Sequence, residues 1–155
     1  MSKAIVELLH PEGVLLNSEL KTAEEVIKAI GDKLFKAGYV KDTFVDAAIE
    51  REKTLPTGLP LGGGINAAIP HTEIEHVIKP ALGMATLKNE VNFRNMVSPD
   101  ELVPVRLVFL LALEQPKVQI EMLQEVAGVL QDPKLVSSLL EKSSYKEVIE
   151  VIEGL

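Results

Sequence analysis

Cysteine is absent from the 155 residues, which excludes disulfides and thiolate metal sites. Histidine is scarce, with only His10, His71 and His76. Basic residues are outnumbered, 16 Lys and Arg against 23 Asp and Glu, giving a net charge of −7. A nucleic-acid binder carries a basic stripe, and none is found. The strongest apolar run, Leu107 to Leu113, falls well short of the roughly 20 residues that span a bilayer. The first residues lack the basic-then-apolar order of a secretory signal. A soluble cytoplasmic protein is expected, free to dock on a membrane partner. What is present is ordinary for a globular chain: 46% hydrophobic and 25% charged residues, enough for one domain over residues 1–155.

Helical and extended patterns alternate, which predicts an α/β fold with a mixed, mostly buried sheet and helices around it. Residues 3–8 and about 13–16 read as short extended pieces. Thr22 and Glu25 have capping-box spacing and open a helix whose apolar face is Ala23, Val26, Ile27, Ile30 and Leu34, with Gly38 as its stop. A second helix runs from Asp42, read as its N-cap, to about Lys53 on the stripe Phe44, Val45, Ala48 and Ile49. At helical spacing Glu52 falls within that stripe and Arg51 on its edge. Charges so placed need partners, because unpaired buried charge is costly. The Gly- and Pro-rich stretch from Leu55 to Gly64 must be a loop. A short strand, about Asn66 to Ile69, leads into Pro70-His71. Ala81–Leu87 and Val103–Leu113 read as strands buried on both faces. Helices follow at about Pro116–Leu130, Pro133–Glu141 and Tyr145–Ile152. Pro at the first helical position, Asp132 and the Ser144–Glu147 pair mark their starts.

The chemistry points to His71, which sits just past a strand end, where sites on α/β folds gather. A neutral imidazole is a good nucleophile near pH 7. Attack on a phosphoryl donor would give a phosphohistidine, with no metal required when the donor is itself a phosphohistidine. The site must then supply positive charge and N–H donors to the phosphoryl oxygens. Arg51 offers a forked cationic contact. The glycine loop offers bare amides, and the helix after Pro116 offers unpaired N–H groups. Gln119, in the first turn of that helix, shares a face with Met122, Leu123 and Val126. It is expected to point inward and orient the ring or donate to phosphate.

Arg51-Glu52, then Pro56-Thr57-Gly58, then Ala68-Ile69-Pro70-His71 resembles the signature of the fructose/mannitol (type 2) IIA components of the bacterial phosphoenolpyruvate-dependent sugar phosphotransferase system. The likeness covers most of the chain. It implies a fold like that of mannitol IIA. It implies that His71 accepts phosphate on Nε2 from the carrier protein HPr and passes it to a cysteine of a IIB partner, with a membrane IIC component behind it. Arg51 would help form the site, with Thr57, Gly58, Glu52 and Gln119 in support. No cofactor is implied. Fructose and mannitol members usually carry a second histidine where this chain has Gln119. Galactitol-type members are similar here, with glutamine at that place and a Pro-His followed by Glu and a second His, as in Pro70-His71-Thr72-Glu73-Ile74-Glu75-His76.

Other readings compete. The same domain type can act as a regulator that reports phosphorylation state to a transcription factor or transporter. The two histidines and nearby carboxylates suggest a metal-dependent hydrolase, but His-x4-His matches no standard zinc spacing. Gly62-Gly63-Gly64 lacks the Lys-Ser/Thr of a nucleotide loop; it is read either as a surface loop or as an approach to phosphate. The partner surface is expected to be an apolar patch round His71 built from Leu59, Leu61 and Ile65.

Overall fold

The computed structural model describes residues 3–154, and its element order is α1 (Lys3–Leu8), β1 (Leu9–Ser18), α2 (Ala23–Lys36), α3 (Phe44–Thr54), β2 (Gly58–Leu59), β3 (Asn66–Ala68), β4 (Ala81–Arg94), β5 (Leu102–Ala112), α4 (Pro116–Leu130), α5 (Pro133–Glu141) and α6 (Tyr145–Glu153). A single turn of 3-10 helix, Ile74–His76, lies between β3 and β4. The strands form one sheet in the order β1-β4-β5-β3-β2. The β1/β4 and β3/β5 pairs are parallel, and the β4/β5 and β2/β3 pairs antiparallel. The expected mixed sheet flanked by helices is therefore present.

Both sheet faces are covered, and β5 shows how. Its side chains alternate between two cores. Leu107, Phe109 and Leu111 point to a layer made by α1, α4, α5 and α6, with Ile5, Met122, Val126, Leu139 and Ile152. Val108, Leu110 and Ala112 point to α2 and α3, with Ile27, Ile30, Leu34, Phe44 and Ala48. A strand sealed on both sides has no polar face to show, which is why its sequence is a continuous apolar run.

The helix signals work locally. Thr22 Oγ1 accepts the Glu25 N–H, Ser144 Oγ accepts the Glu147 N–H, and Asp132 accepts the N–H groups of Lys134 and Leu135. Gly38 takes φ of +86°, the left-handed conformation that ends α2. Four expectations need correction. Residues 3–8 form a helix, because Ile5, Leu8 and Leu9 are spaced i, i+3, i+4 and Ile5 packs into the α4–α6 layer; six residues are too few for periodicity to tell the two apart. The piece at 13–16 belongs to the longer β1, an edge strand that tolerates Pro11 at a break in its register with β4. β4 continues past Leu87 through exposed Lys88, Asn89 and Glu90 to buried Val91 and Phe93. Asp42 does not cap α3; Thr43 flanks the helix instead, and its hydroxyl bonds His76 Nδ1 at 2.8 Å.

Candidate functional site

β3 runs beside β5, with Asn66 opposite Val105 and Ala68 opposite Val108. Past Ala68 the chain keeps to the same track. The Leu111 N–H donates to the Pro70 carbonyl at 3.0 Å, and His71 bridges to Leu111. His71 thus stands past the carboxyl end of β3 and level with the last residues of the parallel β5, the edge at which open α/β sheets leave a crevice. Its ring is half-buried. Nδ1 lies 2.9 Å from the carbonyl oxygen of Ile69. A carbonyl can only accept, so Nδ1 carries the hydrogen and Nε2 of the neutral ring keeps its lone pair. Burial holds the imidazole below its ordinary pKa of 6.5, and the Arg51 charge pushes the same way. The Ile69 carbonyl and Glu73 oppose the shift without reversing it. The ring is therefore neutral at pH 7.

Arg51 comes from the last turns of α3, and its charge reaches the His71 ring. Nη1 donates to Glu73 Oε2 at 2.7 Å. Nε is buried and has no partner among the described residues. Thr72, buried between His71 and Glu73, sends its hydroxyl toward Glu73 Oε1 at 3.4 Å.

Glu52 turns the other way, into the protein. Its carboxylate accepts the Thr57 N–H at 2.8 Å on Oε2 and the Thr57 hydroxyl at 2.9 Å on Oε1. The two contacts pin the end of α3 to the start of β2. Burial pushes the Glu52 carboxyl up to about 7, although the two Thr57 donors and Arg51 hold it down. The Thr57 carbonyl in turn accepts from the Ile69 N–H, so Glu52, Thr57 and the strand that carries His71 form one chain of contacts. Gly58 serves packing. A Cβ there would come within 2.5 Å of the Arg94 carbonyl oxygen, and the Met96 N–H donates to the Gly58 carbonyl at 2.9 Å. The Arg-Glu and Pro-Thr-Gly motifs therefore act as a frame that sets Arg51 beside His71.

Gln119 sits one turn into α4, the helix that follows β5. Its Oε1 is buried without a hydrogen-bond partner among the described residues, and it makes no bond to His71. The inward placement expected for it holds. The triple glycine does not join the site. Gly63 packs on Pro133, where an added Cβ would meet the proline ring at 2.9 Å. Leu61 and Ile65 line a groove with Leu130, Pro133 and Val136. The register separates these residues from His71: Asn66 pairs with Val105, and His71 with Leu111. Six residue steps along β5 separate the two pairings, roughly 20 Å at about 3.3 Å per residue. The apolar patch expected from Leu61 and Ile65 is at the wrong end of the strand. Leu59, paired with Ala67, lies between the two ends. Glu73, which sequence reasoning named only as part of the Pro-His motif, is the residue whose contact with Arg51 it missed. Its position two residues past His71, with Arg51 in need of a partner, was the available signal.

Several findings from known proteins align with this geometry. Residues 7–154 match the family model described as phosphoenolpyruvate-dependent sugar phosphotransferase system, EIIA 2. The galactitol-specific EIIA component of Escherichia coli (strain K12) is 36% identical over 116 residues, 75% of this chain and 76% of that protein. A probable licABCH operon regulator of Bacillus subtilis (strain 168) is 27% identical over 147 residues, 94% of this chain but only 21% of the regulator. Among solved structures, the complex of enzyme IIAMtl with phosphorylated enzyme IIBMtl from Escherichia coli superimposes with a TM-score of 0.76 at 28% identity, over 95% of this chain and 98% of that one.

Proposed function

Given that the chain belongs to the EIIA 2 family, and so is a phosphotransferase component of the phosphohistidine-carrying kind, we propose that His71 takes its phosphoryl group from HPr and delivers it to a IIB component serving galactitol or a related polyol. The observation that carries this reading is the Nδ1–Ile69 contact, because it leaves Nε2 as a lone pair beside Arg51. Nε2 attacks phosphorus as the bond from phosphorus to the donor ring nitrogen breaks. The electron pair of that bond returns to the donor imidazole, and His71 keeps its Nδ1 proton. Positive charge then develops on the His71 ring, and the Ile69 carbonyl stabilises it more strongly as it grows. The Arg51 guanidinium, with its buried and unpartnered Nε–H, receives phosphoryl oxygens. Transfer to a IIB cysteine reverses these roles, with the thiolate as nucleophile and the neutral imidazole as leaving group.

The polyol assignment rests on the 36% identity to the galactitol-specific relative together with Gln119 and the Glu73/His76 pair. Exposed Leu55, four residues past Arg51, and Ile74, three past His71, are the apolar side chains nearest the site along the chain and suit a partner surface. A regulatory role is favoured by one observation, the similarity to the operon regulator. Incubation with phosphoenolpyruvate, enzyme I and HPr should add one acid-labile phosphoryl group. That uptake should be lost in His71→Ala and kept in His76→Ala. Onward transfer to a galactitol IIB, faster than to a mannitol IIB, supports a transport carrier. Uptake without any onward transfer supports the regulator.

A further inference from the structure

Arg51 is held by one contact that can be broken. Nη1 meets Glu73 Oε2 at 2.7 Å, and the Glu73 side chain is 49% exposed against 29% for Arg51. The other Glu73 oxygen has only the long 3.4 Å approach of Thr72 Oγ1. The buried Arg51 Nε–H has no acceptor among the described residues. A buried donor left bare is costly, so it marks a place for an incoming acceptor. Glu73 lies two residues from His71, and its charge and that of Arg51 both reach the ring. A phosphoryl group on Nε2 would set a second anion beside the Glu73 carboxylate, with one guanidinium between them.

Resting on the carrier reading above, we propose that Glu73 is a positioning residue that competes with the phosphoryl group for Arg51. While His71 is bare, Glu73 holds the guanidinium beside the ring. Once His71 is phosphorylated, the carboxylate goes on drawing on the cation that the phosphoryl oxygens need. The phosphorylated state is kept reactive, and the group is released readily to the acceptor. Glu73 touches no reacting atom; it acts through Arg51.

The exchange with phospho-HPr tests this, since one phosphorus–nitrogen bond breaks on the donor ring as one forms on His71. The equilibrium ratio can be read by intact mass or phosphorus NMR for wild type and Glu73→Gln. A partly exposed ion pair contributes little, so the shift should be about two- to fivefold toward phospho-His71. Onward transfer to a IIB protein should slow by a similar factor. In an Arg51→Gln background, measured with excess phospho-HPr, adding Glu73→Gln should leave the ratio unchanged. A purely structural role for Glu73 would lower the melting temperature without moving the ratio, and that result overturns the proposal. So does a shift toward bare His71, or an equal shift in both backgrounds, which would make Glu73 act on the phosphoryl group without Arg51. If wild type takes up no phosphoryl group at all, the carrier reading itself has failed.

Discussion

Replacing Thr57 by valine isolates the contact that ties the Arg-Glu motif to the Pro-Thr-Gly motif. Valine keeps the shape and the backbone N–H bond to Glu52 Oε2, and removes only the hydroxyl at 2.9 Å from Oε1. With Thr57 buried, water cannot replace that donor easily. The size of the loss depends on the charge of Glu52. A hydrogen bond to a charged group contributes about 1.5–3 kcal/mol, and one to a neutral group about 0.5–1.5 kcal/mol. Glu52 titrates at about 7 in the folded protein against 4.5 as its ordinary value. The native state therefore holds the proton more tightly than the unfolded chain. The stability from this proton is complete below pH 4.5 and is lost as pH rises through 7. Removing a donor that favours the carboxylate raises the native pKa further, so the variant goes on losing stability at pH values where wild type has levelled off. Urea titrations at pH 5.5 and 8.5 should show a cost of about 1 kcal/mol at the lower pH and about 2–3 kcal/mol at the higher, with m unchanged. An equal cost at the two pH values would refute the burial argument for Glu52, and no cost at either would refute the anchor itself.

Other outcomes follow from the same geometry. The His71 ring, followed by NMR, should titrate below 6.5 in the folded protein and return to about 6.5 on unfolding. Because the folded value is depressed, His71 contributes stability above pH 6.5 that is lost as pH falls through the folded value, and phosphoryl uptake should fall over that same range. Gly58→Ala forces a Cβ to within 2.5 Å of the Arg94 carbonyl and should cost about 1–3 kcal/mol in a denaturation experiment. Gln119→Ala should slow phosphoryl uptake without abolishing it in a rapid-quench assay; a loss as complete as in His71→Ala would give the amide an essential role.

Much of the architecture was legible because local signals and burial agree. Thr22, Asp132 and Ser144 cap the helices their spacing announces, and β5 reads as a doubly covered strand because it is one. The failures came where tertiary packing decided. A six-residue apolar stretch at 3–8 satisfies either period, and only its docking under α4 and α6 selects the helix. The polar triplet Lys88-Asn89-Glu90 marks the exposed bulge at which β4 slips register, not the end of the strand. At the site, the placement of Glu52 on an apolar stripe correctly announced a buried partner, which is Thr57. The phosphate-approach reading of the triple glycine failed because proximity in sequence was taken for proximity in space: the path from Asn66 to His71 carries the chain along β5 from Val105 to Leu111. Glu73, named only as part of the Pro-His motif, was given no role because a carboxylate in a polar loop looks like solvated surface until Arg51 is seen to reach it.

The most direct test follows the phosphorus atom itself. With ring-labelled 15N-histidine and phospho-HPr as donor, NMR should show a one-bond phosphorus–nitrogen coupling at Nε2 of His71, while Nδ1 keeps its proton toward Ile69. A coupling at Nδ1, a coupling at His76, or a phosphorylated protein with no labelled nitrogen coupled to phosphorus would contradict the assignment of His71 Nε2 as the nucleophile.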